Sequence, residues 1–184
     1  GGGGMGALGG LALFGTRSQA GGGHGLWRSD GTDAGTGVVA VCAPPLYEPA
    51  PRDFAVLGGR AYFVCGAALW SSDGTPGGSA PVKTFYGEFR LSSGLVAAGG
   101  QLYLSATAAD TGRELWRSDG TEAGTTLVAD LEPGPGGSNP GFLTPTGDPS
   151  IPLLFATGRG VWRTHGTAAG TVQASLPPMK SAKA

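Results

Sequence analysis

The side chains best equipped for chemistry lie between short apolar runs. One set gathers aromatic rings, guanidinium groups and carboxylates in Gly- and Pro-rich connections. It comprises Tyr47 and Arg52 in CAPPLYEPAPRD, Tyr86, Phe89 and Arg90 in FYGEFRLS, and Asp110, Arg113 and Glu114 in ADTGREL. Aromatic faces stack on sugars and peptides, and Arg and carboxylate fix polar groups, so this mixture reads as a surface for a glycan or protein ligand. The same region supplies the alternative. Asp110 and Glu114, with Glu48 and Glu88, are acids that could face one another and process a glycan. A second set is Asp30, Asp73 and Asp119, each opening an Asp-Gly-Thr triplet. Such an Asp accepts N–H bonds from two residues ahead and the Gly supplies positive φ, so these are structural turns. Calcium needs six to eight oxygens, more than one or two carboxylates per triplet provide, and Asp33 has Pro76 and Ala168 as acid-free counterparts.

Catalytic motifs are missing from the sequence: it has no GxSxG elbow, HExxH helix, Walker loop or zinc spacing. His24 and His165 belong to different loop sets, expected at opposite ends of the fold. The expectation is therefore a non-catalytic binding or structural module with no catalytic residue, metal or cofactor.

The elements that carry these residues repeat. Trp27, Trp70, Trp116 and Trp162 recur every 43 to 46 residues, within LWRSDGTDAGT, LWSSDGTPGGS, LWRSDGTEAGT and VWRTHGTAAGT. A glycine turn and an apolar run precede each (GGLALF, GGRAYF, GGQLYL and GDPSIPLLF), and another strand-like run follows each triplet. Four strands joined by hairpins in a unit of 40–50 residues are the mark of a propeller blade. The fold class is all-β: a propeller of four four-stranded antiparallel blades, either a complete small ring or part of a larger one. The blades span about 5–43, 52–86, 91–132 and 141–177, with a tail at 178–184. Leu26 and Trp27 point to opposite faces and both are apolar, as sheets covered on both sides require. The four tryptophans are thus expected to be buried between blades.

Composition agrees. The 184 residues include 37 Gly and 14 Pro, which oppose long helices. Twelve Lys and Arg against thirteen Asp and Glu lack the basic surplus of a nucleic-acid binder or a polybasic membrane patch. No apolar run is long enough to insert in a membrane as a helix. GGGGMGALGGLALF is read as the first strands rather than a signal peptide.

At RELWRSDGTEAGTTLVADLEPG the chain resembles the bacterial ELWxxDGT repeat family, and the other three copies match the centre of that pattern. The resemblance implies a propeller that is secreted or displayed at the cell surface, with no assigned activity. Ser79 and His165 depart from the family's Thr and Asp. Cys42 ends an outer strand of blade one and Cys65 an inner strand of blade two, and this offset leads to the expectation that they stay unpaired. Closure of blade one on blade four is the favoured ring, and association of copies stays open.

Overall fold

The computed structural model describes residues 4–17, 24–43, 50–85 and 94–175. These form sixteen strands and, among the described residues, no helix. The first sheet contains β1 (Met5–Leu8), β2 (Leu11–Arg17), β3 (His24–Ser29) and β4 (Gly37–Ala43). The second contains β5 (Arg52–Leu57), β6 (Arg60–Cys65), β7 (Ala68–Ser72) and β8 (Ser79–Thr84). The third contains β9 (Val96–Ala98), β10 (Gln101–Ala108), β11 (Gly112–Ser118) and β12 (Thr126–Ala129). The fourth contains β13 (Gly141–Pro145), β14 (Leu153–Thr157), β15 (Gly160–Thr164) and β16 (Val172–Gln173). Each sheet is antiparallel with its strands in chain order. This is the four-bladed arrangement expected from the repeat.

The first hairpin of blades one to three turns on Gly9-Gly10, Gly58-Gly59 and Gly99-Gly100, and all six glycines have positive φ. A two-residue turn matching strand twist needs positive φ at both positions, which paired glycines adopt without steric penalty.

The blades stack in one direction. The residue just before each tryptophan looks toward the next blade, and the tryptophan looks back at the previous one. Leu13, Leu26 and Val39 of blade one pack with Ala61, Phe63, Cys65 and Trp70 of blade two. Tyr62 and Leu69 of blade two pack with Leu102, Leu104 and Trp116 of blade three. Tyr103, Leu115 and Val128 of blade three pack with Leu153, Phe155 and Trp162 of blade four. The core is therefore three similar layers between sheets rather than one central mass, as in other repeat architectures.

Three expectations are corrected. The tryptophans are only partly buried; the leucines and Phe63, Tyr103 and Phe155 beside them are the enclosed residues. Trp70, Trp116 and Trp162 pack against the buried clusters from their margins. Phe63–Trp70 and Phe155–Trp162 stack at 6.3 and 6.4 Å between centroids, and Phe85 meets Trp116 edge-on at 5.1 Å.

Among the described residues blade one does not pack on blade four, contrary to the favoured closed ring. The innermost strands pack in series, β1 on β5, β5 on β9 and β9 on β13, and among the described residues β13 makes no comparable contact with β1.

Cys42 and Cys65 form a disulfide, with Cα atoms 6.2 Å apart. Strand rank within a blade is a poor guide to this distance. Both cysteines lie at the same end of adjacent sheets and on facing sides, and two register shifts between β3 and β4 bend the outer strand.

Candidate functional site

Each blade has two ends of different character. One end carries the Asp-Gly-Thr turns of blades one to three and the matching His-Gly-Thr turn of blade four. In blade three, Asp119 Oδ1 accepts from Thr121 N at 2.9 Å and from Thr121 Oγ1 at 2.7 Å. Gly120 N donates to Ser118 Oγ at 3.0 Å, Gly124 N to Thr121 Oγ1 at 2.9 Å, and Thr125 Oγ1 to Thr121 O at 2.5 Å. Asp30 and Asp73 make the same two bonds to Thr32 and Thr75. The threonine side-chain bond, then the backbone bond, hold all three carboxyls below the ordinary carboxylate value. Gly31, Gly74, Gly120 and Gly166 have φ of +82° to +95°. The second glycine of the motif has a separate reason: a Cβ at Gly35, Gly78, Gly124 or Gly170 would fall onto the side chain of Asp30, Asp73, Asp119 or His165. His165 keeps the turn with weaker chemistry, its Nδ1 being 3.5 Å from Thr167 Oγ1. The motif is thus explained by folding, residue by residue.

The other end carries the ligand-binding candidates. Tyr47, Tyr86, Phe89 and Arg90 lie outside the described residues, as do Glu48 and Glu88. The remaining four divide. Asp110 is exposed in the β10–β11 turn. Glu114 is 0% exposed. Its carboxylate accepts from Ser138 Oγ at 2.5 Å, Ser138 N at 2.7 Å and Glu132 N at 3.2 Å, tying the chain between β12 and β13 to the base of blade three. Arg113 Nε donates to Ser105 Oγ at 2.8 Å, and its carbonyl accepts from Asn139 N at 3.0 Å. Burial pulls the Arg113 guanidinium below its ordinary value. Arg113 and Glu114 therefore brace the loop end more than they display charge. Ser138 and Asn139 complete this latch and went unnoticed in the sequence. Their one signal was polar residues inside a Gly-Pro run opposite a charged residue in an otherwise apolar strand.

Arg52 begins β5, and its Nε lies 3.6 Å from Asp53 Oδ2, both side chains largely shielded. Asp53 sits at the register shift of β5 with φ +54°, in the left-handed region. Burial pushes its carboxyl above the ordinary value, and Arg52 opposes the shift only in part. Phe142 occupies the matching irregularity of β13 with the same φ, and is 86% exposed. Nothing in local sequence marks either bulge. His24 lies buried at this end of blade one, where Cys42 Sγ is 3.7 Å from its carbonyl. Among the described residues no group of three or more His, Cys, Asp or Glu is placed to hold a metal ion.

No family model and no curated protein matches the chain. Solved structures do. The chain is similar to one in the crystal structure of a nidogen/laminin complex, with a TM-score of 0.52 at 14% identity. The match covers 94% of this chain and 64% of that one, so this chain spans about two thirds of the matched chain's length. At this identity the likeness shows the fold: an all-β, propeller-like array of four-stranded blades.

Proposed function

We propose that the protein is a non-catalytic propeller module of the ELWxxDGT type that binds a protein partner through its loop end. The observation that carries this reading is the fate of Glu114. The acid best placed on a central strand is enclosed and spends its oxygens on Ser138 and Glu132, making a fixed platform instead of a reactive pair. Exposed Asp110, beside this platform, then marks the recognition surface. The solved structure it resembles is a complex with a second protein, which supports protein over glycan as the ligand class. The Cys42–Cys65 bridge supports an oxidising, extracellular or cell-surface setting, where disulfides persist.

One observation favours the glycan-processing alternative: Asp53 is a shielded carboxyl pushed toward its protonated form, as a general acid needs. A single array separates the two readings. Purified extracellular proteins and glycans are printed together and probed with the 184-residue chain and its variant at the exposed loop-end acid, Asp110→Arg. Binding to protein spots that the variant loses at unchanged melting temperature supports the proposal. Binding to glycans only, or release of reducing ends that Asp53→Asn abolishes, overturns it.

A further inference from the structure

The innermost strands of blades two, three and four share a feature where they begin at the loop end. Cross-strand pairing sets Ala55, Val96 and Thr144 opposite the equivalent residues Tyr62, Tyr103 and Leu154. Two positions earlier stand Asp53, Gly94 and Phe142, and all three are left-handed, with φ of +54°, +70° and +54°. The residue after each, Phe54, Leu95 or Leu143, packs into the layer shared with the preceding blade. The backbone geometry is kept from blade to blade while the side chain changes from acid to none to aromatic. A constant scaffold with a variable side chain is the arrangement by which loop ends acquire binding residues.

Glycine suits such a position, and Asp tolerates it. Phenylalanine does neither, because its Cβ crowds the following carbonyl oxygen. Phe142 is nevertheless held there. Thr144 Oγ1 donates to Phe142 O at 2.9 Å, Leu143 is buried, and Asn139 N donates to Arg113 O at 3.0 Å just ahead of it. The core does not use the ring: it is 86% exposed, the most open large hydrophobic side chain among the described residues. An over-determined backbone outlier whose side chain serves no packing role points to recognition. The openness belongs to the position itself. Gly94 has blade four packed after its own blade, yet no described atom lies within 4 Å of where a Cβ would stand on it.

We propose that Phe142 is the aromatic anchor of the loop end, seated in an apolar socket of the partner protein whose rim is basic. This assignment rests on the protein-binding reading above and names the partner's chemistry. Aromatic side chains enclosed in a partner's pocket carry much of an interface's binding energy, and a fixed backbone lowers the cost of ordering them. The basic rim follows from charge. Asp110 and Asp130 are exposed acids at the loop end of blade three, whereas Glu132 is paired with Arg159 at 2.7 Å.

The protein spots of the array described above are probed with the parent chain, Phe142→Gly and Val56→Ser. Phe142→Gly weakens binding to the parent's spots by about tenfold or more. It melts no lower than the parent, because glycine relieves the left-handed strain and the exposed ring contributes little burial. Val56→Ser, at an exposed apolar residue of β5, leaves binding unchanged. Raising salt from about 50 mM to about 500 mM weakens the parent's binding, as acids facing a basic rim require. Binding kept by Phe142→Gly, or a Phe142→Gly chain that melts lower than the parent, overturns the assignment and leaves the protein-binding reading standing. So does binding lost by Val56→Ser or left unchanged by salt. A parent chain that marks no protein spot overturns both.

Discussion

Removing the Cys42–Cys65 bridge should loosen the first two blades and leave the rest in place. The bond joins positions separated by 23 residues, across the interface between blades one and two. Closing a loop of that length removes denatured-state entropy equivalent to about 3.4 kcal/mol at 25 °C. For a chain of this size each kcal/mol moves the melting temperature by about 2–4 °C, so the loss should be roughly 7–14 °C. Cys65 is buried in the layer and Cys42 packs on its edge, so Ala at both positions avoids leaving buried thiols. The assay is a thermal melt followed by near-ultraviolet circular dichroism, paired with hydrogen exchange by mass spectrometry. Faster exchange is expected in β4 and β6, with β10, β11, β14 and β15 unchanged. A non-reduced digest lacking the linked peptide, or a double variant melting within about 2 °C of the parent, would refute the entropic argument.

Gly124→Ala should destabilise blade three by about 1–3 kcal/mol in urea denaturation, because its Cβ falls on the Asp119 carboxylate; Gly136→Ala, with open space around it, serves as the tolerated control. Acidification should lower stability, since Asp30, Asp73 and Asp119 are held below the ordinary value of 3.8. The folded state favours their ionised forms, so that contribution is complete above the ordinary carboxylate range and is lost as pH falls through and below it. Urea titrations from pH 6 to pH 3 read this slope, and an Asp30/Asp73/Asp119→Asn variant should flatten it. Trp116→Ala should cost about 3 kcal/mol, the lower end for a large aromatic because the indole is only partly enclosed. Glu114→Ala should leave Ser138 and Glu132 donors unmet and speed proteolysis within residues 131–140, with elastase digestion as the readout.

The architecture was legible in the sequence because its signals are local and repeated. Paired glycines dictate hairpins, the Asp-Gly-Thr turn satisfies its own hydrogen bonds, and tryptophan spacing sets the blade length. What escaped depends on how one blade meets another. The disulfide turns on two facing sheet ends, a relation that strand order does not encode. Which blades pack on which likewise depends on how whole sheets meet, which no residue pattern states. At the loop end, Arg113 and Glu114 read as ligand-binding candidates in a connection, but their role lies with Ser105, Ser138 and Glu132, partners 8 to 24 positions away with no periodic relation. The left-handed Asp53 and Phe142 sit at register shifts that the strand pattern does not mark; Asp tolerates positive φ, but Phe gives no such signal.

One-way blade stacking positions the loop end, and nuclear Overhauser contacts in a methyl-labelled sample test it directly. The indole of Trp70 should show cross-peaks to Leu13 and Leu26, that of Trp116 to Leu69, and that of Trp162 to Leu115. Trp27 should show none to the blade-two leucine Leu69. Cross-peaks joining each tryptophan to the following blade instead, or Trp70, Trp116 and Trp162 rings with no contact outside their own sheets, would contradict the stacking.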